Sequence, residues 1–176
     1  MQGVAPVPDR IQWTVELLDV KPADRILEIG CGNGLAAVLV CEALTGGGHL
    51  TAIDRSDKAI ARARNRNVHH LDAGRVTFDC SDLAIFSGAG APFDKAFAVN
   101  VNVFWAAEAS REIQRLWEIL RPGGWLGLIY EAPDPARMQD ELAPLVAERL
   151  RSAAFETRIE VEGDMRAVLA DRVSGP

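Results

Sequence analysis

Cysteine is scarce in this 176-residue chain: Cys31, Cys41 and Cys80 are the three thiols, and no C-x-x-C pair joins any two of them. An odd and scattered set argues against a disulfide framework and against a zinc site, and points to a reducing cytoplasm. Apolar stretches are short, and the longest, residues 35–41, falls well below the roughly 18 residues of a membrane span. Met1 to Asp9 show neither a basic start nor an apolar stretch, so no secretory signal is visible. Lysine occurs only at Lys21, Lys58 and Lys95, and 19 Lys+Arg face 25 Asp+Glu, a net charge of −6. That balance speaks against a broad nucleic-acid footprint. Histidine is limited to His49, His69 and His70, so candidates for a general base are few.

What is present is ordinary globular composition, with 48% hydrophobic and 25% charged residues. A chain of this size makes one domain and buries about 70% of its extended-chain surface. Residues 1–8, with Pro6 and Pro8, read as a flexible arm, and 9–176 as a single domain. Ile11, Val15 and Leu18 at helical spacing predict a short amphipathic helix, stopped at Lys21-Pro22. Strands are then predicted at 25–30, 49–54, 75–80, 93–100 and 125–131, and helices at 34–44, 56–67, 108–120 and 139–153. His69 and His70 fall in a surface loop, and 121–124 in a turn. Two alternating runs, 157–162 and 165–170, meet at Gly163-Asp164 as a hairpin that adds an antiparallel edge strand. Strands alternating with helices give an α/β fold, a parallel sheet covered on both faces.

The first strand ends in Glu28-Ile29-Gly30-Cys31-Gly32-Asn33-Gly34 and leads straight into a helix. Glycines there let the backbone turn tightly and approach a ligand closely. Asp54 ends the second strand 20 residues past Gly34, where a carboxylate can accept both ribose hydroxyls of an adenosine. A dinucleotide loop, G-x-G-x-x-G/A, would need a small residue at 35, and this chain has Leu35. Glu28 would repel a pyrophosphate but suit, through water, a cationic amino acid end. A nicotinamide cofactor is disfavoured on both counts.

The runs RILEIGCGNG (25–34), TAIDRS (51–56), CSDL (80–83), FDKAFAVN (93–100) and LRPGGWLGLI (120–129) resemble, in order and near the usual spacing, the successive motifs of class I S-adenosylmethionine-dependent methyltransferases. The resemblance covers about residues 21–131. It implies a Rossmann-like three-layer α/β/α sandwich whose seven-stranded, mostly parallel sheet has an antiparallel terminal strand, with S-adenosylmethionine as cofactor. It also implies the site residues. Glu28, Gly30, Gly32, Asn33 and Gly34 form the loop beside the methionine part, Asp54 takes the ribose hydroxyls, and Arg55 packs on the adenine. Asp82 takes the adenine amino group with the Leu83 backbone beside it, and Asn100 faces the methyl region.

Asn100-Val101-Asn102-Val103 departs from the Asn-Pro-Pro-aromatic pattern of enzymes that methylate nucleic-acid amines, and carries none of the carboxylates of metal-using relatives. The expectation is a cytoplasmic enzyme, monomer or homodimer. It would move a methyl group to a small-molecule acceptor by orientation, with no metal, nucleic acid or membrane as partner. Trp13, Trp105 and Tyr130 are the candidate acceptor-pocket residues, and no catalytic base is assigned. The alternative is a methyltransferase-like protein that binds the cofactor as a non-catalytic partner subunit.

Overall fold

The computed structural model describes residues 6–106 and 109–174. Seven strands form one sheet in the order β3-β2-β1-β4-β5-β7-β6. They are β1 (Arg25–Ile29), β2 (His49–Asp54), β3 (Val76–Cys80), β4 (Phe93–Val99), β5 (Leu120–Glu131), β6 (Phe155–Glu162) and β7 (Met165–Arg172). β1 to β5 pair in parallel, and β7 runs antiparallel to both β5 and β6.

The hairpin forms where the alternating runs placed it, but its antiparallel strand is not at the edge. β7 carries Ala167, Val168, Leu169 and Ala170, apolar toward both faces and fully buried. β6 reads FETRIEVE, charged at every second position. A strand apolar on both sides belongs inside a sheet, and a charged one blunts an edge against unwanted pairing. β7 therefore inserts between β5 and β6.

Helices cover both faces. On one side α1 (Asp9–Leu18), α2 (Leu35–Ala43) and α3 (Asp57–Arg66) pack over β1, β2 and β4 around Ile26, Val40, Leu50, Ile60 and Phe97. On the other, α5 (Ser110–Ile119) and α7 (Ala143–Ser152) pack over Leu126, Leu128 and Val168. Two short pieces complete the set, α4 (Val68–Asp72) and the turn α6 (Pro135–Arg137), which runs through a π-helical turn at Met138–Leu142 into α7. Local chemistry explains the boundaries. Ser56 accepts from the Ala59 amide and starts α3. Lys95 donates to the Leu18 and Asp19 carbonyls at the end of α1, at 2.9 and 2.7 Å, and pairs with Asp24 at 2.8 Å, a cation at a helix C-terminus.

Three local expectations change. Residues 121–124 do not leave the sheet: β5 runs unbroken from Leu120, with a register shift opposite Phe93 and Lys95 that absorbs the glycines. His69 and His70 lie on α4, and His70 is only 1% exposed, because the helix turns it under the chain. Trp13 packs on Ile129, Met165, Ala167 and Leu169, so it is a core residue of the α1–sheet interface. Glu108, the predicted start of α5, and residues 1–5 of the arm lie outside the described residues.

Candidate active site

β1 lies between β2 and β4, where the chain's progress across the sheet reverses. Such a switch point opens a crevice at the carboxyl ends of the strands. A cavity of about 570 Å³ sits there, lined by Gly30, Asp54, Arg55, Asp82, Leu83 and Asn100 together with Ser81, Val101–Val103, Ala106 and Glu112.

The glycine loop is built by specific close approaches. Gly30 and Cys31 donate to the Ile53 carbonyl at 2.8 and 3.0 Å, which lays the loop across the end of β2. Gly30 has φ +69°, and a Cβ there would stand 2.6 Å from Val101 Cγ2. Gly32 has φ +55° with open space where its Cβ would point, so the backbone is bare toward a ligand. Gly34 serves packing: its Cβ would meet Ala63 and Asn67 of the α3 region below 3 Å, and Asn67 Nδ2 donates to the Gly34 carbonyl at 2.9 Å. Asn33 faces a shallow depression with Arg62, Asn65 and Arg66. Neither Asn33, Gly34 nor Gly32 is among the residues lining the main cavity.

Asp54 is the tie of this loop. Its Oδ2 accepts from the Gly32 amide and its Oδ1 from the Ser56 amide, both at 2.9 Å. Each oxygen keeps a further lone pair for a hydroxyl. Asp82 caps a 3₁₀ turn at Leu83–Ile85, Oδ1 accepting from Ala84 N at 2.9 Å, while Oδ2 lies 3.7 Å from Arg55 Nη1. Arg55 is thus loosely paired and largely in solvent, with its guanidinium at the cavity rim. Asn100 adopts φ 55°, a conformation asparagine tolerates. Its amide donates to the Ile129 carbonyl and its Oδ1 accepts from Glu131 N, both at 2.8 Å. It binds the end of β4 to the end of β5.

Glu28 differs from the carboxylate that the sequence suggested. It is 4% exposed, Oε2 has no partner, and burial, with the charge of Asp54, pushes it up to about 8. At neutral pH it is protonated, and it stands behind the loop, outside the lining residues. Cys31 is held as a thiol by burial first and by the negative charge of Asp54.

Tyr130 and Trp105 do not line the cavity. β5 runs to Glu131, one residue further than the position that would free Tyr130, so its ring is buried and its hydroxyl is raised by that burial. Trp105, in a 3₁₀ turn at Asn102–Trp105, lies on it with ring centroids 4.7 Å apart. Ser81, Ala106 and Glu112 are lining residues that the sequence reading missed. Glu112 could have been found from its place in the first turn of the helix after β4. Among the described residues no group of three or more His, Cys, Asp or Glu is placed to hold a metal ion, and Glu131 is held by Arg10 at 2.6 Å. None of the described helices is long and apolar enough to cross a membrane.

Known proteins share this architecture. A family model described as a methyltransferase domain matches residues 26–124. The 27-O-demethylrifamycin SV methyltransferase of Amycolatopsis mediterranei is 31% identical over 144 residues, covering 77% of this chain and 47% of that protein. The trans-aconitate 2-methyltransferase of Delftia acidovorans is 33% identical over 132 residues, covering 72% and 45%. The chain therefore spans about half the length of the curated relatives it matches. A crystal structure of a SAM-dependent methyltransferase from Aquifex aeolicus superposes with a TM-score of 0.77 over 93% of this chain and 89% of that one, at 18% identity. The bare glycine loop and the acid at the end of β2, with a free lone pair on each oxygen, fit the ribose of an adenosyl cofactor. With the family model covering more than half its length, the chain belongs to the class I S-adenosylmethionine-dependent methyltransferases.

Proposed function

We propose that the protein transfers the methyl group of S-adenosylmethionine to a small-molecule acceptor. One observation carries this: a single cavity at the β1/β4 switch point gathers Gly30, Asp54, Asp82 and Asn100. When bound, the cofactor supplies a methyl group already activated on a sulfonium. The chain then needs to bind and orient. Asp54 offers its free lone pairs to the ribose, Asp82 and the Leu83 backbone take the adenine edge, and Arg55 closes the rim. Asn100, fixed by β5, holds the floor beneath the reacting atoms, and such positioning is worth about 7–11 kcal/mol.

No histidine is among the residues lining the cavity. His49 is spent on the Gly74 carbonyl and Thr77 Oγ1, each at 3.0 Å, at the opposite end of β2, and His70 is buried in α4. Support for a small acceptor comes from the names of the two relatives, a rifamycin-type and a trans-aconitate methyltransferase. Titration calorimetry with S-adenosylhomocysteine, then radiolabelled methyl transfer across a panel of hydroxylated and carboxylated small molecules, tests the reading. Absence of S-adenosylhomocysteine binding would refute it.

A further inference from the structure

The upper end of the β5–β7 pair holds polar groups that the cavity does not use. Tyr130 and Arg166 stand directly opposite each other on these antiparallel strands, so their side chains share one face. It is the face of Leu128 and Val168, covered by α5 and α7. Tyr130 is 1% and Arg166 6% exposed. Among the described residues Tyr130 Oη has no hydrogen-bond partner, and neither has Arg166 Nε. The rest of the guanidinium donates only to neutral oxygens: Nη1 to the Gly163 and Met165 carbonyls and Nη2 to Gln139 Oε1, all at 2.8 Å. Among the described residues Arg166 takes part in none of the ion pairs.

This arrangement needs a reason. A guanidinium cannot neutralise itself by losing a proton, and burying a charge without a counter-charge is far more costly than burying a neutral polar group. Both orphaned groups can donate, and the one charge is positive, so the missing partner is an oxyanion. Carboxylates and phosphates match the guanidinium fork in two parallel hydrogen bonds.

The position suits an acceptor. Tyr130 is one residue from the carboxyl end of β5, whose terminal amide is bound by Asn100. From β4, where the methyl-transfer site is proposed, to β7 is two strand spacings, about 10 Å. A small molecule anchored at Arg166 therefore reaches Asn100 with its other end. Trp105 covers Tyr130. Gln139 covers Arg166 from the π-helical turn at Met138–Leu142, and such turns recur at functional sites.

We propose that Arg166 and Tyr130 anchor an oxyanion, carboxylate or phosphate, carried by the acceptor, with Trp105 as its roof and Gln139 as the neutral group it displaces. The word acceptor rests on the methyltransferase reading; the anion site itself does not. Calorimetric titration of the full chain with benzoate, phenyl phosphate and the neutral benzamide tests it, with and without saturating S-adenosylhomocysteine. At least one anion should bind tenfold or more tighter than benzamide, benzoate leading for a carboxylate acceptor and phenyl phosphate for a phosphorylated one. Arg166→Met should abolish that preference while leaving stability to urea equal or higher, since an uncompensated charge is removed, and S-adenosylhomocysteine affinity unchanged. Tyr130→Phe, which deletes a hydroxyl without a partner, should weaken the preference at unchanged stability. The proposal is overturned if wild-type protein binds benzamide as well as either anion, if it binds none of the three, or if the preference survives in Arg166→Met and Tyr130→Phe. Loss of S-adenosylhomocysteine binding in the wild type would instead sink the methyltransferase reading, and the anion titration of the ligand-free protein would still be decisive for the site.

Discussion

Replacing Glu28 with glutamine tests the electrostatics behind the glycine loop. In the folded chain this carboxyl ionises at about 8 rather than the ordinary 4.5, chiefly because it is buried and secondarily because Asp54 is negative. The folded pKa is raised, so the contribution to stability is complete below pH 4.5 and is lost as pH climbs through 8. Over that interval the unfolded chain releases the proton and the folded chain keeps it, at about 1.4 kcal/mol per pH unit. The native state should lose about 3 kcal/mol by pH 7 and about 5 kcal/mol by pH 8.5 from this one group.

Glutamine fills the same volume and never ionises. Glu28→Gln should differ from the wild type near pH 4.5 only by the pH-independent cost of an amide N–H left unpaired, about 1–3 kcal/mol at most, and should gain about 3 kcal/mol on the wild type between pH 4.5 and pH 7. Urea unfolding from pH 4.5 to 8.5 measures the difference. His70 adds a slope of its own: burial first, then the positive charges of His69 and Arg75, hold it below 6.5, so stability falls as pH drops below that value. That slope is common to both proteins and cancels in the comparison. Parallel curves for the two proteins would mean that Glu28 is hydrated in the fold and that the argument from its burial is wrong.

Asp54→Ala should raise the Kd for S-adenosylhomocysteine at least tenfold, since charge-assisted hydrogen bonds are worth about 1.5–3 kcal/mol each. It should also loosen the loop, which exchange of the Gly32 amide with deuterium would detect. Gly30→Ala should destabilise more than Gly32→Ala in urea. Both force alanine into a left-handed backbone at about 1–2 kcal/mol, but only at Gly30 does the new methyl strike Val101, at 2.6 Å. Methyl transfer, once an acceptor is found, should survive EDTA, because a hard divalent ion wants clustered carboxylates and the described residues offer none. Restoration by magnesium of activity lost on chelation would refute that.

The gathering of the candidate cofactor residues at one strand end is legible because its signal is local. Gly30, Gly32 and Gly34 stand within five residues of one another, and Asp54 follows by a spacing that one βα unit fixes. What sequence could not convey is the division of labour inside that motif. Gly34 is small to admit Asn67 and Ala63, and Asp54 is occupied by two backbone amides before any ligand arrives. The inserted position of β7 was readable in principle from its two-sided apolar pattern against the charged alternation of β6. His70 and Trp13 were misplaced because a five-residue helix and an aromatic on an amphipathic turn look alike whether buried or exposed.

The proposed acceptor half rests on residues whose meaning arises only across the sheet. Tyr130 and Arg166 are 36 positions apart, and each alone reads as an ordinary strand residue. Pairing β5 with β7 brings a phenol and a guanidinium onto one buried face. The two halves then differ in sign. Asp54, Asp82 and Glu112 line the cavity with Arg55 as the single cation among its lining residues, an environment that attracts a sulfonium. Beyond the 3₁₀ turn at Asn102–Trp105 Tyr130 and Arg166 offer hydrogen-bond donors and a fixed positive charge, the environment proposed to hold an anion. A cationic cofactor and an anionic acceptor would each be held off the other's side by charge. The boundary between them falls at Asn100, which ties β4 to β5 and where the proposed function has the two reactants meet.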